Sequence, residues 1–145
     1  VTPWAIMSAL TIAFDGESFF EPVEDPQLDS RVRHAYHESM ARGGRVGDGY
    51  ARKLLTELPK AGLELEDIGS SDWILTPYRG EYRPGEQQFL GFILDMVEEA
   101  LQGRVTAEES GRWLERRRVE LADGKLIYIA HQLDILARKG GDRDG

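Results

Sequence analysis

The sequence predicts an α+β fold in which a pair of strands packs with about four helices. Three stretches carry that expectation. Residues 50 to 62 read as an amphipathic helix with a stop signal, residues 63 to 75 change the apolar period to two, and residues 125 to 137 hold a second β-rich run. Tyr50, Leu54, Leu55, Leu58 and Ala61 fall on one stripe at the 3.6-residue period. Gly62 follows where a helix end favours a residue free to take positive φ. Leu63 and Leu65 then alternate with Glu64 and Glu66, the mark of a half-buried strand. Ile68 is out of step and Gly69 sits beside it, which predicts a bulge or bend before the strand resumes over residues 72 to 75.

Composition narrows the class. At 145 residues the chain has the size of one domain, and 41% hydrophobic with 30% charged residues is globular rather than disordered. A formal charge of −8 argues against sequence-independent binding to nucleic acid or to an anionic membrane, since phosphate binding rests on clustered Lys and Arg. There is no cysteine, hence no disulfide, no thiolate nucleophile and no cysteine-ligated metal. That absence fits a cytoplasmic protein. No apolar run reaches the roughly 18 residues of a membrane span. Val1-Thr2-Pro3-Trp4 has neither an initiator Met nor the basic start of a signal peptide, and a chain beginning at Val is expected to be a piece of a larger protein.

Taken in order, residues 3 to 14 are apolar nearly throughout, and periodicity alone leaves helix and strand open. Asp15-Gly16 is a turn dipeptide, and with Pro22 and Pro26 it makes residues 15 to 25 read as a loop. Asp25-Pro26 is an N-cap followed by a proline at the first helical position. The helix it opens carries Leu28, Val32, Ala35, Tyr36 and Met40 on one face and stops at Gly43-Gly44. Pro77 to Gly85 is a polar turn region. Glu86 to Gln102 is a helix with an unusually wide apolar stripe, including Phe89, Phe92, Ile93 and Met96. Thr106 and Glu109 form a capping box for a helix running to about Ala122, whose Arg112, Arg116, Arg117 and Arg118 read as a solvated basic face. Residues 125 to 137 form the last strand, and residues 139 to 145 a frayed tail.

Chemistry-bearing residues are few. Gly43 to Gly49 precedes a helix as phosphate loops do, but a helix rather than a strand leads into it, so a plain connection is favoured. His34 and His37 share a helix face without a third well-placed ligand, so no metal site is assigned. His131 and Trp73 are the substrate-pocket candidates: His131 stands in the last strand near Asp134, and Trp73 follows Ser70-Ser71-Asp72 at the bend. The bland reading of each is a hydrogen-bonded or packed structural residue. No nucleophile accompanies His131 and Asp134, which weighs against a hydrolase, and no catalytic residue is assigned.

Two pieces carry a family resemblance: Gly49-Tyr-Ala-Arg-Lys-Leu-Leu-Thr-Glu-Leu-Pro-Lys-Ala-Gly-Leu63 with the strand to Leu75, and Lys125-Leu-Ile-Tyr-Ile-Ala-His-Gln-Leu-Asp-Ile-Leu-Ala-Arg138. They resemble the C-terminal half of a class I S-adenosylmethionine-dependent methyltransferase, a Rossmann-like fold. The resemblance makes residues 45 to 62 the last helix, 63 to 75 the sixth strand and 125 to 138 a seventh strand antiparallel to it. Residues 76 to 124 become a helical insertion between those strands within a single unit, residues 1 to 145. It implies S-adenosylmethionine as cofactor of the parent protein and a small-molecule methyl acceptor as its partner. The family's glycine-rich loop and acidic cofactor-binding motifs have no counterpart here, so no cofactor is expected on this chain. The alternative is a stand-alone ligand-binding or dimerisation module. An open sheet edge and the wide stripe of residues 86 to 102 predict a homodimer, unless residues 3 to 14 fold back and shield those groups.

Overall fold

The computed structural model describes residues 7–42 and 49–139, with side chains from residue 14 onward within those ranges. The order is β1 (Met7–Glu21), α1 (Pro26–Arg42), α2 (Tyr50–Lys60), β2 (Leu63–Ser70), β3 (Trp73–Leu75), α3 (Glu86–Leu101), α4 (Ala107–Ala122) and β4 (Ile127–Lys139). The fold is α+β, with four helices and an antiparallel sheet of four strands among the described residues. Where the sequence suggests a pair of strands, β4 is a shared centre. It pairs antiparallel with β1 along one edge and with β2 and then β3 along the other.

β1 corrects the loop reading of residues 15 to 25. Asp15-Gly16 is a bulge rather than a turn: Phe14 lies opposite Gln132 and Ser18 opposite Ala130, with Gly16 at φ 80 inside the shift. Pairing with a strand more than a hundred residues away carries the chain through a local turn signal. The bulge also aims Asp15 inward. Its fully buried carboxylate accepts from the Arg52 backbone N–H at 2.8 Å and from Arg52 Nε, and so satisfies a free amide in the first turn of α2. The Asp15 carbonyl accepts from the Gly49 N–H at 2.7 Å. The stop at Gly43-Gly44 and most of the glycine-rich stretch lie outside the described residues; Gly49 itself is the N-cap of α2, at φ 71.

Alternation along β4 divides the two faces of the sheet. Tyr128 and Ala130 join one core with Phe20 and Leu75, covered by Val32 of α1, Leu90 and Val97 of α3, and Trp113 and Leu114 of α4. Ile135 and Ala137 are buried on the opposite face, where α2 packs across β1, β2 and β4. The stripe of α2 is rotated from the sequence reading. Ala51 is fully buried, Leu54, Leu55 and Leu58 are half-buried, and Tyr50 and Ala61 are exposed. The phase 51, 54, 55, 58 is the better helical one. The apolar stripe of α3 is mostly satisfied inside the chain. Ile93 is buried, Met96 packs against the core and Phe89 stacks near Trp73 at 4.8 Å, leaving Phe92 at 59% exposure.

The expected bend falls slightly off its predicted place. β2 has its register shift between Leu65 and Asp67, before Ile68, and the strand is then interrupted at Ser71 and Asp72. Ser70 lies opposite Leu133 and Trp73 opposite Ala130, so β2 and β3 keep one register across the gap.

The caps at both ends of this layer behave as the sequence requires. Asp25 Oδ1 accepts from Leu28 N–H at 3.0 Å to open α1, and Thr106 Oγ1 accepts from Glu109 N–H at 3.2 Å to open α4. Glu109 is also held by both terminal nitrogens of Arg31 at 2.7 and 3.1 Å, which ties α4 to α1. The Arg31 guanidinium, then the Thr106 hydroxyl, pull its carboxyl down to about 2. A depressed carboxyl stabilises the fold above its unfolded value of about 4.3 and loses that contribution as pH falls through about 2. Glu109→Gln is therefore expected to unfold at lower urea than the parent near neutral pH. The gap should close as the medium is acidified toward the folded value, and a gap independent of pH would contradict the assignment.

Two glycines separate backbone strain from steric overlap. Gly62, one residue beyond the C-cap of α2, takes φ 82 with open space where a Cβ would stand. Gly124 takes φ 64, and a Cβ there would lie 2.0 Å from the Gly80 carbonyl oxygen in the turn before α3. Gly62→Ala is expected to cost about 1 kcal/mol from the left-handed backbone alone. Gly124→Ala should cost about 1–3 kcal/mol more through overlap with that backbone. Equal urea midpoints for the two variants would show that residues 79–80 yield freely.

Candidate functional site

The gap between β2 and β3 is where the chain gathers polar groups. With the strand interrupted, Gln132 N–H donates to Asp72 Oδ1 at 3.1 Å, and Ser71 N–H donates to the Gln132 carbonyl at 3.2 Å. The carboxylate takes the ladder position of a backbone oxygen. The same Oδ1 accepts from Ser70 Oγ at 3.0 Å and lies 2.8 Å from His131 Nδ1. Burial works against the Asp72 charge, but the Gln132 amide, the Ser70 hydroxyl and the His131 ring outweigh it and hold the carboxyl below its ordinary range.

This arrangement fixes one histidine nitrogen, Nδ1, against the carboxylate. With Nδ1–H donating to the Asp72 carboxylate, a neutral ring would carry its acceptor at Nε2. The His131 side chain is 29% exposed, so the ring is reachable. Asp134, the carboxylate closest to it in sequence, falls on the other face by alternation; the partner of His131 is Asp72.

Trp73 and His131, the two pocket candidates, are brought close along the sheet and then separated by it. Trp73 lies opposite Ala130 and shares its face, where the indole meets Phe89; His131 is the next residue of β4 and points to the other side. They do not line one pocket. Hollows border α4 instead. One of about 110 Å³ is lined by Asp25, Leu28, Asp29, Arg112, Trp113 and Arg117 among others, and a shallower one by Pro22, Arg116, Glu120 and Lys125 among others.

His34 and His37 also part company. His34 is exposed beside Glu38 at 3.5 Å, whereas His37 is buried, and its Nε2 accepts from Ser18 N–H at 3.0 Å. Ser18 Oγ lies 3.3 Å from the same nitrogen, and the Tyr128 hydroxyl bonds to Ser18 and Tyr36. Burial pushes the Tyr128 phenol up, with those two bonds opposing. A serine beside a histidine suggests a nucleophile and base, but both are closed off from solvent, so the network serves to lock α1 onto β1. No group of three metal-ligating side chains converges among the described residues.

The basic run of α4 is the clearest correction. Arg117 is 2% exposed, not solvated. Its Nη1 donates to the Glu120 carboxylate and to the Pro22 carbonyl, both at 2.7 Å, and its Nη2 approaches Asp29 at 3.5 Å. Its guanidinium lies 5.1 Å from the Trp113 ring centre. The signal for it was the apolar deficit of α4: with Val119 54% exposed, an arginine fills the inward position.

No protein-family model matches the chain, and no curated protein matches it significantly. Fold and site together define an α+β protein with a central antiparallel strand, a helix-fed strand beside it and a polar strand break. Among the described residues no helix is long and apolar enough to cross a membrane.

Asp72→Ala removes the acceptor that bridges the strand gap and unpins His131. The Gln132 amide is expected to exchange with deuterium at least about tenfold faster, the equivalent of about 1.4 kcal/mol. Unchanged protection at Gln132 would show that the gap is held by Ser71 alone.

Proposed function

We propose that the chain is the C-terminal, sheet-completing part of an S-adenosylmethionine-dependent methyltransferase acting on a small molecule. The observation that supports it is the strand arrangement. β1 and β2 are each antiparallel to β4, hence parallel to one another, and the path between them runs through α1 and α2. A parallel pair joined through helices is the unit of a doubly wound sheet. A last strand returning antiparallel beside the helix-fed strand is what the resemblance implies. Outside β4, the far edge of β1 has no strand against it among the described residues, and it is where a parallel sheet would continue.

On this reading the missing strands bring the cofactor site, and the present chain contributes the edge of the sheet and the helices beside it. Its role in methyl transfer is to shape and orient, since alignment of acceptor and sulfonium methyl supplies much of the rate. No residue described above is assigned a catalytic part. Calorimetry tests the proposal. Residues 1–145 are expected to show no heat of binding with S-adenosylmethionine, and the chain extended by its upstream coding sequence is expected to bind in the micromolar range. An upstream sequence lacking a strand followed by a glycine-rich turn would overturn the reading, as would micromolar binding by residues 1–145 alone.

A second reading, a dimerisation module, is favoured by exposed aromatic groups: Trp73 at 43% exposure, which meets Phe89, and Phe92 at 59%, three residues further along α3. Light scattering of the parent and of Phe92→Asp separates the two. A mass near 16 kDa for both, the chain's own 16.3 kDa, leaves no dimer to explain.

A further inference from the structure

We propose that His37 is an acid-sensitive latch: a proton taken up at its Nε2 releases the later turns of α1 from β1 and loosens the start of α2. The latch is independent of the methyl-transfer reading.

The Ser18 backbone N–H donates to His37 Nε2 at 3.0 Å, and Ser18 Oγ lies 3.3 Å from the same nitrogen. An imidazole nitrogen accepts such a bond only while it carries no hydrogen, and in the charged ring both nitrogens are donors. The bond therefore belongs to the neutral ring with its proton on Nδ1. Water offers no substitute, since Ser18 is 0% exposed and His37 7%. A proton on Nε2 sets two N–H groups against each other and leaves a buried amide without its acceptor.

The charged groups around the ring are engaged with one another. On α1, Tyr36 holds its ring 5.9 Å from the imidazole, and Arg33 is bound to Asp29 at 3.1 Å. His34, one turn earlier, is exposed beside Glu38, and Glu38 is bound by Arg104 at 3.0 Å. Arg104, just past α3, also donates to the Ala35 carbonyl at 3.0 Å, which brings a cation to the same stretch of helix. On β1, Asp15 and Glu17 are both bound by Arg52. β4 contributes the Tyr128 phenol, bonded to Ser18 and Tyr36 and pushed up by burial. Each of these carboxylates already has an arginine, and a histidine is the side chain whose ordinary titration falls between pH 5 and 8.

Arg31 to Glu109 and Arg117 to Asp29 tie the first turns of α1 to α4. His37 stands beyond both ties, so the later turns are the part that acid frees. Ser18 closes the bulge that begins after Phe14, and that bulge turns Asp15 onto the Arg52 N–H at 2.8 Å. Loss of the His37 bond thus reaches α2 through β1. The closed form excludes the proton and the opened form accepts it. The latch is therefore fully held above the ordinary histidine value of about 6.5 and weakens as pH falls below it.

Two NMR measurements on residues 1–145 test the latch. Long-range proton–nitrogen spectra of the imidazoles are expected to show His37 at pH 7.5 as the neutral ring with Nε2 bare. Deuterium exchange should give protection factors for the Ser18 and Arg52 amides that fall about tenfold between pH 7.5 and 5.5. That is the gain in opening from one proton bound a pH unit below an ordinary value of about 6.5. At pH 5.5 both amides should stay less protected than the interior of α3, the mark of a local opening. In His37→Gln the amide oxygen can accept from Ser18 without titrating, and the tenfold fall should vanish at both amides. A protonated Nε2 at pH 7.5 overturns the proposal in the parent protein, whether or not the variant folds. So does a fall shared equally by every slow amide, which is general unfolding, and so does a fall that persists in His37→Gln.

Discussion

Everything in this fold depends on β4 having two partners. Among the described residues it is the one strand engaged on both edges, and each other strand there reaches the sheet through it. That position requires apolar residues on both faces: Tyr128 and Ala130 meet the three-helix layer, while Ile135 and Ala137 meet α2. It also makes β4 regular. The register shifts are irregularities of β1 and β2: β1 bulges between Leu10 and Ala13 and again at Asp15–Glu17, and β2 near Glu66, all to stay aligned with an unbroken centre. The edges adapt and the centre does not.

The bulges are useful because they turn side chains away from the alternation. Asp15, displaced inward, caps α2 from the strand, so the start of one helix is fixed by a residue 37 positions earlier. Asp72, freed by the gap between β2 and β3, replaces a ladder carbonyl with a carboxylate and collects His131 and Ser70 on it. In both places a side-chain oxygen does what backbone would do in a regular element. Each is charged, and each binds several donors at once.

What the sequence made legible follows from that distinction. The four helices stand where their periods and caps put them, because the signals of Asp25, Thr106, Glu109 and Gly62 act within a turn of their own residue. β1 was not legible past Asp15, since a turn dipeptide and a bulge look alike until the distant partner is known. The polar cluster was half legible. Ser70, Ser71, Asp72, Trp73 and His131 all stood out by type. Their division between two faces depends on which residue of β4 lies opposite Trp73, and register is a property of the pair rather than of either strand. Arg117 shows a third limit. Four arginines along one helix read as a solvated face, and only the neighbours of α4 decide which of them turns inward.

Those neighbours explain how a buried guanidinium is tolerated. Removing its charge from water costs several kcal/mol, and attraction to carboxylates offsets this only when the remaining donors are also bonded. Glu120 and Asp29 supply the counter-charge from α4 and α1, and the Pro22 carbonyl supplies a neutral acceptor from the end of β1. Arg117 thus joins three elements that the apolar core alone would hold less specifically: the exit of β1, the first turn of α1 and the middle of α4. An apolar residue of similar volume could fill the space, but it would fix none of these three relative to the others. The compensation is incomplete at one atom, Nε, and it is incomplete beside a tryptophan with the same deficiency. Both atoms are shut off from solvent, so this shortfall is carried inside the packed core as part of the cost of fixing the three elements together.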